Sequence, residues 1–363
     1  MWVRLNIPLL YNLFTEDKGD IWMAGFLGRF KNLFSESSTS NTRESMEDCG
    51  FLGVDARALV KLDKQFVVFL LGGDPDVEKT AEVAIPAAQL EKAKKIRVLL
   101  NRSVRDQPLT KIAPRMPSVM PKLMRSLRDK NASTEDIVKI IIQDPLLLST
   151  VLRQVNSAYF NPRKRRVSDI RKAVVHLGMD GLRLVMTAAL LQPVIQRQTS
   201  FFGEAGKHLW LHSHQVAALA EMLARSRKLD GLDAYLVGLM HEMGRLTLLH
   251  EMCRIMSTAG IKVPPPPEAL VGMLSENSAL LSYRVAQEWE LPNTICVALQ
   301  EQTSMPTEPP PPGIGRLVAE VNVLAEYYCL RNHLNSANRE VKRVAEQLMI
   351  TPDKLETLEH LDT

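Results

Sequence analysis

Aromatic side chains make up only 6% of the sequence, so an interior built on them is excluded. The core must be aliphatic, filled by Leu, Val, Ile, Ala and the 16 methionines. Cysteine is scarce as well. Cys49, Cys253, Cys296 and Cys329 are scattered without a CxxC pair. That spacing argues against a disulfide framework or a thiolate metal knot and for reduced thiols in a cytoplasmic protein. Charge of one sign is in short supply too, because a net +4 over 363 residues is too small and too dispersed to mark a nucleic-acid stripe. No run of 18 or more apolar residues is visible, which argues against a membrane-spanning helix. Acidic Glu16, Asp17 and Asp20 interrupt the N-terminus and argue against a signal peptide there.

What is present is organised in four stretches. Residues 1–48 read as a poorly ordered segment. Within it, residues 21–34 place Trp22, Phe26, Phe30, Leu33 and Phe34 at helical spacing with Arg29 and Lys31 off that face. Such an amphipath suits peripheral membrane contact, a partner, or its own protein. A Ser/Thr-rich linker, Ser35 to Asp48, follows. Residues 49–110 read as a small α/β domain. The β-branched run from Phe66 to Leu71, stopped by Gly72-Gly73, suggests a buried strand, and Ala87 to Asn101 a helix with Leu90, Ala93, Ile96 and Leu100 on one side.

From 112 to 330 the pattern is steady helix. Asp144-Pro145 is a cap followed by proline at the first helical position, and Gly178 closes a helix begun at Ile170. Proline runs Pro264–Pro267 and Pro309–Pro312 read as stiff connectors. Ala279 to Trp289, Thr294 to Glu301 and Ile314 to Leu330 read as further helices, and residues 331–363 as short C-terminal ones. The fold class expected is mainly α, a multi-helix bundle preceded by a small α/β N-terminal region.

The stretch with chemical content runs from Leu209 to His250. Leu209, Val216, Leu219, Ala220 and Leu223 share one face of a first helix, on which His208 and His212 are four residues apart. A second helix carries Leu236, Leu239, Met240 and Met243 and embeds His241-Glu242. Imidazole and carboxylate donors on two rigid helices are suited to a divalent metal such as Mn, Fe or Zn. The same histidines equally suit buried, hydrogen-bonded links between helices, with Glu242 paired to Arg245 three residues on. His208, His214 and His250 would then face solvent or cap loops.

Several landmarks stand in order: Pro117 and Pro121, Asp144-Pro145, Leu152-Arg153-Gln-Val-Asn156-Ser157-Ala-Tyr-Phe160, Leu177-Gly178, Leu182-Arg183, Trp210-Leu-His212-Ser213, Gly238-Leu-Met-His241-Glu242-Met-Gly244 and Trp289-Glu-Leu-Pro292. Together they resemble the HDOD domain family, a bacterial signalling module related to HD-type metal-dependent phosphohydrolases, over Ile112 to Tyr328. The resemblance implies a first histidine at His212, a second at His241, and a later acid or histidine closing a metal site. Glu242 stands where the enzymes carry Asp, an extension of roughly one C–C bond, about 1.5 Å. Ser278 stands where a histidine is expected, and Glu301 and Gln302 where paired histidines are.

The implied reading is a non-catalytic regulatory module without a cofactor, with His208, His212, His241 and Glu242 as a vestigial metal set. Its partner is expected to be a signalling protein or small effector. Arg153, Asn156, Ser157 and Arg183 are candidate binding residues, unless Asn156 and Ser157 only close their helix. The alternative is a metal-dependent phosphohydrolase with an altered shell. Nucleic-acid contact through Arg163 to Arg166 and the basic face Lys92 to Arg97 is the least favoured.

Overall fold

The computed structural model describes residues 56–76, 85–118, 120–121, 134–156, 167–196, 200–304 and 311–330. The amphipath 21–34, the Ser-rich linker, Ser157, the loop Arg163 to Arg166 and residues 331–363 lie outside the described residues. The described residues are helical and contain no strand. The mainly-α bundle is as expected; the α/β region is not.

The run from Phe66 to Leu71 belongs to helix α1, Ala56–Leu70, not to a strand. Its apolar residues continue a helical stripe begun at Leu59 and Leu62, and Phe66, Val67, Val68 and Leu70 are all buried. A short apolar run buried on most sides has no period of its own, so length and neighbours decide its state. Gly73 N–H donates to Val68 O and Leu71 N–H to Val67 O, and Gly72 has φ 79°. The glycine pair therefore ends a helix rather than a strand.

The chain forms two compact units. In the one that includes residues 117–191, α4 (Thr134–Ile142) packs on α5 (Pro145–Val155). Asp144 caps α5, its side chain accepting from Leu146 N–H and Leu147 N–H, a contact that stabilises by about 1 kcal/mol. Helix α6, Ile170–Ile195, breaks at Gly178 (φ 69°) as the sequence suggested. By length and composition α6 could cross a bilayer, with a best-window mean hydropathy of 1.5, yet half of that window is buried inside protein. A core helix passes the same test.

The other unit, residues 50–116 and 192–344, holds the remaining helices. These are α1, α2 (Ala87–Asp106), α3 (Leu109–Ile112), α7 (Ala205–Ser226), α8 (Gly231–Met240), α9 (Met243–Thr258), α10 (Pro267–Ser275), α11 (Ser278–Glu288), α12 (Asn293–Gln300) and α13 (Ile314–Leu330). Its centre is the antiparallel pair α7 and α8, with α13 packed on both. Gly238 permits the pair to close, since a Cβ there would lie 2.5 Å from Ala217 Cα. Helix α1 lies on α10 and α13, while α2 lies on α9. Ala93, Ile96 and Leu100 form the buried face of α2 as expected, but Leu90 is 42% exposed. Cys253 and Cys296 are buried, free thiols and Cys329 is half-buried and free.

Candidate functional site

His212 sits at mid-length of α7, on the face turned toward α8 and α13, and is buried. His241 and Glu242 do not lie within a helix. Helix α8 ends at Met240 and α9 starts at Met243, so the dipeptide forms the corner between them. The corner is fixed by a neighbouring helix. Ser282 Oγ–H on α11 donates to His241 O (2.6 Å) and accepts from Gly244 N–H (2.8 Å). Position 244 must be glycine, because a Cβ would fall 1.9 Å from Ser278 O. The apolar period across Met240 to Met243 hid this break.

The corner brings His212, His241 and Glu242 together, with one ligand-type atom from each inside a 4.8 Å sphere of mutual distance. His208 does not join them and instead stacks on Phe69, centroids 5.0 Å apart. His214, expected near solvent, is buried between Trp210 (5.2 Å) and Tyr235 (6.1 Å). Burial lowers its pKa to about 4. His250 is partly buried.

Arg245, expected beside Glu242, and four residues that the motifs do not include complete the site. Asn322 on α13 reaches both imidazoles, its carboxamide 2.8 Å from His212 Nε2 and 3.0 Å from His241 Nε2. The other end of that amide is 3.1 Å from Glu326 Oε1, one helical turn on. Arg245, buried at the start of α9, lies 2.9 Å from Glu242 Oε2 and 2.6 Å from Asp63 Oδ1 of α1. The Asp63 contact is a hydrogen bond; the Glu242 contact is an ion pair without an aligned N–H. Phe66, one turn beyond Asp63, lies 4.4 Å from the His212 ring and 5.8 Å beneath the Arg245 guanidinium. For Asn322 and Glu326 the advance signal was their spacing, i, i+4, as a polar pair inside the apolar stripe of α13.

The electrostatics follow from burial. Desolvation pushes the His212 pKa well below its usual value, helped by the neighbouring His241. Desolvation lowers His241 too, against the opposing pull of Glu242 and the Gly238 carbonyl. Both rings are therefore neutral near pH 7. Burial also raises Glu326 far above an ordinary carboxyl, reinforced by the Asp63 charge. Burial alone would discharge Arg245, but the carboxylates of Asp63 and Glu242 more than offset it.

A cavity of about 650 Å³ opens beside these groups, lined among others by Asp63, His241, Glu242, Arg245, Asn322 and Glu326. Ser278 and Gln302, two of the positions where the resemblance implied histidine, line it as well. As donors for a divalent ion the set is unfavourable. Both imidazole Nε2 atoms are already taken up by an amide, and the carboxylate grouped with them, Glu242, is already facing a fixed guanidinium. A buried dication is stabilised by anionic ligands that are free to turn toward it.

The other candidate residues lie in the unit built on α4 to α6. Asn156 caps α5: its side chain donates to Leu152 O (2.7 Å) and Val167 O (2.6 Å) and accepts from Val167 N–H (2.7 Å). Arg183 is 3.3 Å from Asp180, and Arg153 is exposed. On the basic face of α2, Lys94 pairs with Glu91 and Arg97 with Glu276.

The HDOD domain family pattern matches residues 113–305, more than half of the chain. This chain belongs to the HDOD domain family. An uncharacterized protein of Treponema pallidum (strain Nichols) is 27% identical over 206 residues, which is 54% of this chain and 38% of that protein. This chain thus matches well under half the length of that relative. A structure from Shewanella amazonensis SB2B, described as a candidate metal-dependent phosphohydrolase, aligns with TM-score 0.53 at 19% identity, covering 73% of this chain and 94% of its own. An HDOD domain protein with unknown function from Geobacter sulfurreducens aligns with TM-score 0.49 at 20% identity over 73% of this chain and 93% of its own.

Proposed function

We propose that this chain is a non-catalytic regulatory module of bacterial signal transduction, acting in the cytoplasm by binding another signalling protein or a small effector. The observation that carries this reading is the Asp63–Arg245–Glu242 cluster, with the buried guanidinium lying over Phe66. Side chains of the protein itself occupy and neutralise the ground where a catalytic metal and its phosphoryl substrate would need open, anionic ligands. The helix that supplies two of them, α1, lies outside the matched family segment.

The test is elemental analysis of the purified chain, combined with turnover assays on cyclic dinucleotides and simple phosphoesters in Mn²⁺. Substoichiometric metal and no turnover are expected. Manganese-dependent hydrolysis that disappears in His241→Ala would overturn the proposal. A second reading, a phosphohydrolase with an altered shell, is favoured by the convergence of His212, His241 and Glu242, and that same outcome would support it.

A further inference from the structure

The orientation of the Asn322 amide follows from the proton inventory around it. His241 donates its Nδ1–H to Gly238 O, 2.7 Å away. A neutral imidazole has one N–H, so His241 Nε2 carries only a lone pair. That lone pair meets the Asn322 amide at 3.0 Å, and His212 Nε2 meets the same amide atom at 2.8 Å. Were that atom Oδ1, as it is placed, His241 would oppose one acceptor to another. A half-turn about the last side-chain bond exchanges oxygen for nitrogen at no steric cost.

In the turned orientation the NH₂ group donates one N–H to each imidazole Nε2. The amide oxygen then accepts from the carboxylic acid of Glu326 across the 3.1 Å contact, consistent with a carboxyl that burial keeps protonated. Gly238 O, His241, Asn322 and Glu326 are then complementary at each of these contacts with no net charge, and His212 accepts at Nε2 by carrying its proton on the buried Nδ1. Asn322 lies beyond the segment 113–305 that matches the family.

We infer that Asn322 is the residue that keeps metal out of this site: its amide nitrogen bridges the two imidazole lone pairs that a divalent ion would need to accept, and a carboxylate in its place admits such an ion. The inference rests on the reading of a metal-free module and names what enforces it. A carboxylate is an acceptor only, so it cannot satisfy two lone pairs by hydrogen bonding. Substituted here, it would oppose the His241 lone pair, which the Gly238 carbonyl holds at Nε2, until a cation lies between.

The experiment compares the full wild-type chain with Asn322→Asp and with Asn322→Leu, all stripped with EDTA, then titrated with Mn²⁺ and with Zn²⁺ while bound metal and melting temperature are followed. Wild type is expected to bind neither ion and its melting temperature to stay fixed. Asn322→Asp should melt lower when stripped, bind with an affinity about 100-fold or more above wild type, and regain stability as metal is added. Asn322→Leu should melt lower and not respond. If Asn322→Asp does not accumulate folded, Asn322→Asp/Glu326→Gln relieves the second buried acid and is read in the same way. Folded carboxylate variants that hold no more metal than wild type overturn this inference and leave the regulatory reading standing. Tight metal binding by wild type overturns both.

Discussion

Arg245→Met tests whether the guanidinium neutralises the corner. Arg245 and Glu242 side chains are 6% and 5% exposed, and Asp63 is 28% exposed. Removing the cation leaves Glu242 with a buried charge and no counter-ion, a loss of about 3–5 kcal/mol. Methionine retains most of the stem that packs against Phe66, so little of that loss is packing; the lost cation–π contact adds about 0.5–2 kcal/mol. Urea unfolding can be followed by Trp210 and Trp289, both buried in this unit, in a Trp2→Phe/Trp22→Phe background. With a denaturant slope of about 2–3 kcal/mol/M the midpoint should fall by about 1–2 M. Arg245→Met/Glu242→Gln should be more stable than the single variant, because it removes the orphaned charge along with its partner. A midpoint shift under about 0.3 M, or a double variant no better than the single, would refute the reasoning.

Gly244→Ala should cost at least about 3 kcal/mol, since its Cβ would meet backbone at Ser278; Gly203→Ala, with nothing within 4 Å, is the control, and urea midpoints compare them. Asp63→Asn leaves Arg245 its Glu242 contact but loses a charge-assisted hydrogen bond of about 1.5–3 kcal/mol, and hydrogen exchange should show faster opening of α1 than of α8. His214 is neutral when folded because burial lowers its pKa to about 4. The unfolded chain therefore takes up the proton first as pH falls, and His214 costs stability progressively between about pH 6.5 and 4; His214→Phe should flatten that part of a stability–pH curve. Asn156→Ala removes two hydrogen bonds joining the end of α5 to Val167 and one to Leu152 O within α5 and should destabilise by about 1–3 kcal/mol, read as faster hydrogen exchange in α5.

Helix ends were the most legible feature of the sequence, because the chemistry that makes them is local. Asp144-Pro145 starts α5, Gly178 breaks α6, and α13 starts at Ile314 as its apolar period indicates. The mistaken strand at Phe66 to Leu71 shows the limit: a segment buried on most of its surface loses the contrast that periodicity needs. For the site, His212 and His241 were identifiable and the pairing of Glu242 with Arg245 followed from i, i+3 spacing. The partners Asp63 and Asn322 were not, since each is distant in sequence from the histidines and its role exists only once α1 and α13 are packed. His214 was misjudged because nothing in its neighbours announces that Trp210 and Tyr235 enclose it.

The thiols of Cys253, Cys296 and Cys329 are all pushed upward by burial, Cys253 to about 11. Since the thiolate is what reacts with alkylating reagents, all three sulfurs are shielded chemically, and the buried Cys253 and Cys296 sterically as well. Cys253 on α9, Cys296 on α12 and Cys329 on α13 therefore act as three built-in opening clocks. The order in which they become modified in dilute urea would reveal which helix leaves the bundle first.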